Sequence, residues 1–386
     1  MARIGAARAS ISLLRRNRDF RRLFLASVIS LGGDWFLFVA IGSLVFDATG
    51  KASSIGLLIL SQELPFFASS WFGGILADRL DRRRLMIVCD VARAGVCVAF
   101  LAVEPAHLWL AFVLIAVLST FAGPYDPAFS AATPNVVDPE DLPVANALSG
   151  SLWGTMLAVG AALGGVVSGV FGRDAAFLVD AGSFLVSAWL LLGITRRFSE
   201  DREAEHPGPI AASVETVRYA RRDHRVLALL AVKAGFGVGA GVLALIVVFA
   251  KQVFQAGDVG FGLLMAARGL GALIGPFLGH RIAGPGHRRL FPAIAAALAV
   301  FGVAYISLAL APSMAVAALV ILVAHLGGGA QWVLSSFGLQ RLVPDRIRGR
   351  IFAADYAMIT LTLTLSALGA SALADPKLAR ACIALR

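Results

Sequence analysis

Residues 54–84 are SIGLLILSQELPFFASSWFGGILADRLDRRR, an apolar run that ends in four arginines. A helix needs about 20 predominantly apolar residues to cross the hydrocarbon core of a bilayer. The run is long enough, and the arginines after it are typical of loops that remain on the cytoplasmic side. The stretch therefore predicts a membrane-spanning helix followed by a cytoplasmic loop.

The composition of the whole chain agrees with this interpretation. Of the 386 residues, 58% are hydrophobic and 15% are charged, whereas a soluble domain carries roughly 25% charged residues. The net charge of +10 could indicate a nucleic-acid partner, but the arginines lie in short clusters between long apolar runs, which excludes that class. Three cysteines, Cys89, Cys97 and Cys382, lack metal-ligand or disulfide spacing, and we expect Cys89 and Cys97 to be inert packing residues.

Eleven membrane spans are predicted along the chain. The first, Leu23–Phe46, is too long for the apolar region of a signal peptide and lacks a clear cleavage site. Only ten residues follow Asp375-Pro376, too few for a twelfth span. The predicted spans lie near residues 23–47, 54–77, 85–103, 107–130, 143–171, 174–194, 226–250, 258–280, 290–310, 313–336 and 351–374.

The distribution of positive charge predicts the orientation. The N-terminal tail and every second loop hold 25 of the 34 Lys and Arg residues, against six in the opposite loops and three within spans. Because positively charged loops remain in the cytoplasm, we expect a cytoplasmic N-terminus.

The chain divides into two sets of helices. We predict a basic cytoplasmic tail (1–22), a six-helix bundle (23–194), a charged cytoplasmic linker (195–225) and a second bundle with five clear spans (226–386). A repeat supports the division, since Gly74–Arg79 and Pro276–Arg281 close the second span of each half before an arginine cluster. Duplicated halves of this kind build transporters with a site where the repeats meet.

At Gly74–Leu85 the sequence resembles the loop signature of the major facilitator superfamily, Gly-x-Leu-Ala-Asp-Arg-x-Gly-Arg-Arg. Asp81 departs from the signature, because it replaces the second glycine. Other segments resemble the macrolide-efflux and enterobactin-exporter branch of that superfamily. These are Gly32–Trp35, Cys89–Ala94, Pro127–Phe129, Asp141–Leu142, Ala145–Ala147, Ala176–Phe184 and Arg341–Arg350.

The resemblance implies an all-α, two-bundle membrane protein of the bacterial cytoplasmic membrane that acts as a monomer without a cofactor or metal. Its function would be secondary transport, exporting a small amphiphilic solute by alternating access, with protons as a candidate coupling ion. It also implies a cytoplasmic gate, in which the Asp78 carboxylate lies against the positive N-terminal end of span eleven. The alternative is that the arginines only set topology. The gate candidates are Gly74, Asp78, Arg79, Arg82, Arg83, Asp90 and Arg93.

Span five carries Gly160, Gly164 and Gly165, which resemble the antiporter motif Gly-Pro-x-x-Gly-Gly with Ala161 in place of proline. Small residues on one face also allow close packing of helices, so a purely structural role remains an alternative.

Charged residues inside spans are the main functional candidates, because a charge at the bilayer centre costs roughly 2.5–3.5 kcal/mol. Asp34 is the first candidate for proton coupling and Glu63 the second, although each could instead be a fixed hydrogen-bonding residue. Asp90 and Arg93 are spaced to pair on one helix face. We interpret Asp180 and Asp355 as ties between helices, and expect Lys233 to snorkel to the cytoplasmic surface.

The resemblance places spans one and ten along the substrate cavity. Arg268 could meet an anionic solute or neutralise an acid, and His325 could titrate or simply be a packed hydrogen-bonding residue. Span four lacks the arginine of many drug–proton antiporters, which weakens proton exchange relative to transport itself. The cavity candidates are Trp35, Arg268, His325, Gln331 and Trp332.

A membrane enzyme and a non-transporting protein are the two other function classes. A membrane enzyme would need clustered His, Asp or Glu side chains, and the six histidines are scattered. A nucleotide-binding loop with Gly-Lys-Ser/Thr is absent from the sequence, so ATP drive is not expected. A non-transporting sensor or a truncated product stays open because of the missing twelfth span.

Overall fold

A computed structural model describes residues 2–196, 218–284 and 288–384. Within these ranges the side chains of residues 2–8, 71–79, 143, 147, 345–350, 353 and 375–384 lie outside the description. The described residues form helices and connecting turns, with no β-strand among them.

The helices follow one another with short connections. In chain order they are α1 (Ala2–Arg16), α2 (Arg18–Thr49), α3 (Ala52–Arg79), α4 (Arg82–Ala99), α5 (Trp109–Ala122), α6 (Tyr125–Val136), α7 (Leu142–Phe171), α8 (Arg173–Leu192), α9 (His224–Ala240), α10 (Leu243–Val248), α11 (Gly257–Ala283), α12 (Leu290–Ser307), α13 (Met314–Leu342) and α14 (Asp345–Ala384). A π-helical turn, Phe249–Val253, extends α10.

Side-chain caps fix several helix starts at the polar loops. The Asn17 side chain accepts a hydrogen bond from the Phe20 amide at 2.9 Å and begins α2. The Asp81 carboxylate accepts from the Arg84 amide at 2.8 Å and begins α4. Because a capping carboxylate satisfies a donor that the helix cannot, Asp81 has a structural reason to replace the glycine of the loop signature.

Ten helical segments in the described part of the chain are long and apolar enough to cross a membrane. The predicted second span (54–77) coincides with α3 but is not one of the ten, so the count of eleven remains a prediction. The predicted fourth span (107–130) overlaps one of the ten segments, Trp109–Val136. Gly123 and Pro124 form a turn inside it, between α5 and α6, where proline has no amide hydrogen to donate to the helical ladder.

The chain forms two compact units. Unit 1 comprises Met1–Gly50, Leu60–Arg202 and Gly257–Gly262, and unit 2 comprises Lys51–Ile59, Glu203–Ala256 and Leu263–Arg386. In unit 1, α2 packs against α7 and α8, and α4 packs against α8. In unit 2, α12 packs against α13, and α9 packs against α13 and α14. The bundle and linker boundaries inferred from sequence stay predictions.

Candidate functional site

An ion pair between Asp34 and Arg93 lies in unit 1. Asp34 is near the middle of α2, and Arg93 on α4 donates through Nη2 to its Oδ1 oxygen. The Arg93 side chain is 3% exposed, whereas the Asp34 side chain is 28% exposed. Asp34 is therefore the more exposed partner of the pair.

Arg93 makes further contacts that hold its guanidinium in place. Its Nη1 nitrogen lies 3.8 Å from Asp90 Oδ1 and donates to Ser30 Oγ at 3.3 Å. The guanidinium also lies over the Phe184 ring, 4.0 Å from the centroid, at cation–π distance. One arginine thus joins carboxylates from α2 and from its own helix.

Asp90 is fully buried and belongs to the same cluster. Ser187 on α8 donates to Asp90 Oδ2 at 2.6 Å, and the Tyr125 hydroxyl lies 3.4 Å from Ser187 Oγ. A buried carboxylate needs such partners, because an unpaired one costs several kcal/mol. The cluster therefore connects α2, α4, α6 and α8.

Asp180 is a third carboxyl beside this cluster, and the sequence predicts that it ties two helices together. It is fully buried on α8 and accepts a hydrogen bond from the Cys97 thiol at 3.2 Å. The spacing of Asp180, Ser183 and Ser187 places three polar residues on one face of an apolar helix. That pattern was the available signal for a polar site on span six.

Aromatic rings lie beside Asp34. Trp35 contacts Phe38 and Trp153 edge to face, with ring centroids 5.6 and 5.9 Å apart. Trp153 is 44% exposed, and Trp35 and Phe38 are half-buried. An accessible carboxylate next to aromatic rings offers a charged and an apolar contact to an amphiphilic molecule.

The three glycines of α7 allow close helix approach within unit 1. A Cβ atom on Gly160 would lie 2.6 Å from the Gly32 carbonyl oxygen, and one on Gly164 would lie 2.7 Å from Phe36 Cα. A Cβ atom on Gly165 would lie 2.8 Å from Gly262 Cα. These glycines pack α7 against α2 and against the start of α11, which supports the packing alternative; an antiporter role stays a prediction.

Two of the gate arginines bind backbone carbonyls. Arg82 is buried, and its Nη1 donates to the Ala131 carbonyl at 2.9 Å; Arg83 donates to the Ile194 carbonyl at 2.5 Å. Arg83 therefore satisfies a carbonyl just beyond the end of α8, and Arg82 joins α4 to α6. The side chains of Gly74, Asp78 and Arg79 lie outside the described residues, so their gate role stays a prediction. Glu63 is half-buried in α3.

In unit 2, His325 bonds to residues on two other helices. Arg268 donates through Nε to His325 Nε2 at 3.1 Å, and His325 Nδ1 lies 3.2 Å from the Tyr305 hydroxyl. Since arginine can only donate, Nε2 accepts and the ring proton is on Nδ1. All three side chains are buried, as is Gln331, for whose amide atoms no hydrogen-bond partner is found among the described residues.

Lys233 does not snorkel, so that prediction is wrong. Its side chain is 1% exposed and lies 3.4 Å from Asp355 Oδ2. Nζ also donates to Ser336 Oγ at 3.1 Å and lies 3.7 Å from the Trp332 ring centroid. These partners on α13 and α14 stabilise the ammonium inside unit 2, so it has no need to reach the surface.

The described residues contain no group of three or more His, Cys, Asp or Glu side chains that could hold a metal ion. The charged clusters of the two units consist of ion pairs and hydrogen bonds between helices. Such clusters in apolar helices are typical of solute and proton pathways.

Solved structures of transporters share this fold. The alignment with a bacterial homolog of the human lysosomal transporter Spinster covers 93% of this chain and 83% of the homolog, with a TM-score of 0.72 at 16% identity. The nucleoside transporter NupG covers 92% of this chain and 91% of its own, with a TM-score of 0.70 at 15% identity. At these identities the likeness shows the fold alone.

Curated relatives are more similar in sequence. The enterobactin exporter EntS of Salmonella typhimurium is 28% identical over 287 residues, which cover 71% of this chain and 66% of EntS. The MFS-type transporter YfiS of Bacillus subtilis is 28% identical over 185 residues, 48% of this chain and 44% of YfiS. The chain thus spans less than half of YfiS and about two thirds of EntS.

A family model described as transmembrane secretion effector matches residues 9–384. The relatives and structural neighbours of this chain named above are transporters and not enzymes. The ten apolar helices agree with a multi-pass membrane protein. The chain belongs to the transmembrane secretion effector family of major facilitator transporters.

Proposed function

We propose that this transporter exports a small amphiphilic solute across the bacterial cytoplasmic membrane by alternating access, in exchange for protons. Its N-terminus would lie in the cytoplasm, and it would work as a monomer. Export is favoured because a relative that covers 71% of the chain is named an exporter.

The observation that carries the proposal is the unequal exposure of the Asp34–Arg93 pair. A buried guanidinium holds a carboxylate that remains accessible. Protonation of Asp34 would weaken the pair, and release of the proton would restore it. An accessible acid whose partner is fixed can therefore couple its protonation to the conformation around it.

The rings of Trp35, Phe38 and Trp153 support an amphiphilic solute, because they offer apolar contact within one helical turn of Asp34 or across from it on α7. The alternative is a non-transporting protein of the same fold. It would bind a solute without moving it, and a transport assay separates the two.

The test is uptake of iron-free enterobactin or erythromycin into proteoliposomes under an imposed pH gradient. Wild type should accumulate at least one of them only with the gradient, and Asp34→Asn should lose this dependence. Glu104→Gln, an exposed carboxyl replaced by its amide, is the matched control and should behave as wild type. Glu63→Gln tests the second candidate acid.

Uptake that is equal with and without the gradient, and equal in wild type and Asp34→Asn, would contradict proton exchange through Asp34. Wild-type vesicles that bind both probes without accumulating either would favour the non-transporting alternative.

A further inference from the structure

Asp180 is a buried carboxyl without a cationic partner of its own. It is 0% exposed, and no described Lys, Arg or His lies within ion-pair distance of it. Arg93, the guanidinium of this cluster, pairs with Asp34 and Asp90 instead. Since an isolated ionised carboxylate is expensive to bury, the surroundings favour the neutral acid.

The hydrogen bonds around Asp180 also fit the neutral acid. The Ser183 hydroxyl lies 2.8 Å from the Asp180 main-chain carbonyl oxygen and 3.1 Å from Asp180 Oδ1. A hydroxyl has one proton and two lone pairs, so it donates to the closer carbonyl and can accept from Oδ1. The Cys97 thiol donates to Oδ2 at 3.2 Å.

With a proton on Oδ1, both carboxyl oxygens of Asp180 and the Ser183 hydroxyl have complementary partners. An ionised Asp180 would draw the Ser183 proton away from the closer main-chain carbonyl and would still face no cation at ion-pair distance among the described residues. The bare Cα of Gly33 packs on this same oxygen and leaves no room for a Cβ atom there.

The helices packed against α8 carry further titratable groups. α7 contributes none, and on α8 itself Arg173 and Asp174 lie at its first turn. α2 contributes Asp34, α4 contributes Asp90, Arg93 and Cys97, and the Tyr125 hydroxyl on α6 lies against Ser187 of α8. Two of these are carboxylates that share the single guanidinium, so they oppose a further negative charge at Asp180.

We propose that Asp180 carries a proton in this state and is the store from which Asp34 becomes protonated. Asp180 packs against Gly33, the residue before Asp34. In the transfer, the proton leaves Asp180 Oδ1 and binds the Asp34 carboxylate, so Asp180 becomes the ionised member. Arg93 keeps its charge, and the net charge of the cluster is unchanged. The role as a store rests on the proposed proton exchange; the protonation itself does not.

Infrared spectroscopy of the purified full-length protein in detergent at neutral pH tests the protonation without solute or gradient. Wild type should show a carboxylic-acid C=O stretching band that shifts in deuterated buffer and is lost in Asp180→Asn. The band should remain in Asp34→Asn and Asp90→Asn, the matched carboxyl-to-amide controls. A wild-type spectrum without the band, or a band unchanged in Asp180→Asn, would overturn the assignment.

Ser183→Ala covers the case in which Asp180→Asn does not fold. Removing the acceptor of the Oδ1 proton should move the band to higher frequency, and an unshifted band would contradict the hydrogen bond from Asp180 to Ser183.

The store role is tested in proteoliposomes, where Asp180→Asn should lose gradient-driven uptake and keep solute counterflow. Gradient-driven uptake equal to wild type would overturn the store role. A wild type that ignores the gradient would end the proposed exchange and leave the infrared result standing.

Discussion

Arg93 forms ion pairs with two carboxylates of unit 1, Asp34 and Asp90. It is the only described cation within ion-pair distance of Asp34 and Asp90, and Asp90 is fully buried. Arg93→Met should therefore destabilise the protein by about 3–5 kcal/mol, the usual cost of removing one partner of a buried pair. Thermal unfolding in detergent measures the loss. Adding Asp90→Asn to Arg93→Met should recover part of it; a double variant less stable than the single would contradict this account.

Lys233 and Asp355 form the corresponding buried pair of unit 2, each with 1% of its side chain exposed. Lys233→Met should lower the melting temperature clearly, because it leaves Asp355 buried without its cation, and Lys233→Met with Asp355→Asn should lie closer to wild type. Arg225→Met, which breaks the exposed pair with Asp223, is the control and should change nothing measurable. An equal fall in melting temperature for Lys233→Met and Arg225→Met would show that burial does not determine how much an ion pair contributes to stability.

At the scale of single helices, two glycines of α7 differ in how closely a neighbouring helix approaches them. A Cβ atom on Gly164 would lie 2.7 Å from the backbone of Phe36, whereas one on Gly150 of the same helix meets nothing within 4 Å. Gly164→Ala should therefore lower stability by about 1–3 kcal/mol through overpacking. Gly150→Ala should be neutral or slightly stabilising, because alanine favours the helix.

Unfolding of the two variants in the same detergent provides the comparison. Equal stability of Gly164→Ala and Gly150→Ala would show that α2 and α7 do not approach each other as closely as described.

The sequence predicted most helices because each span is a long apolar run, and it located Asp34 and Arg93 because charge inside such a run is costly. It did not locate the turn at Gly123-Pro124 inside the fourth span, since proline is tolerated inside membrane helices when neighbours satisfy the freed carbonyls. Here Ser70 on α3 donates at 3.0 Å to the Gly123 carbonyl, which receives no amide hydrogen from Pro127, four residues later.

Contacts between distant residues explain the remaining differences. Lys233 was predicted to snorkel because its partner, Asp355, is 122 positions away in the sequence. Asp180 does tie α8 to α4, but the sequence could not name its thiol donor, Cys97, which is 83 positions away. Sequence spacing shows which residues share a helix face, but only the packing of helices decides which faces meet.

At the scale of the whole molecule, the charge asymmetry makes a prediction about orientation. With 25 Lys and Arg residues in the tail and alternate loops against six in the others, the N-terminus should lie in the cytoplasm. Glu104 and Arg84 lie at opposite ends of α4 and its 3-10 extension, so the two positions should be on opposite sides of the membrane. Both are exposed, so accessibility to solvent within the protein does not distinguish them.

Cysteines at these positions can report the side directly, because the native Cys89 and Cys97 are buried. On intact spheroplasts a membrane-impermeant maleimide should label Glu104→Cys and leave Arg84→Cys unlabelled, with Cys382 replaced by serine in both. Permeabilised cells should label both. The reverse pattern would place the arginine clusters outside, where the anionic lipids of the cytoplasmic leaflet could not attract them. It would also contradict the cytoplasmic N-terminus on which the proposed outward direction of solute transport depends.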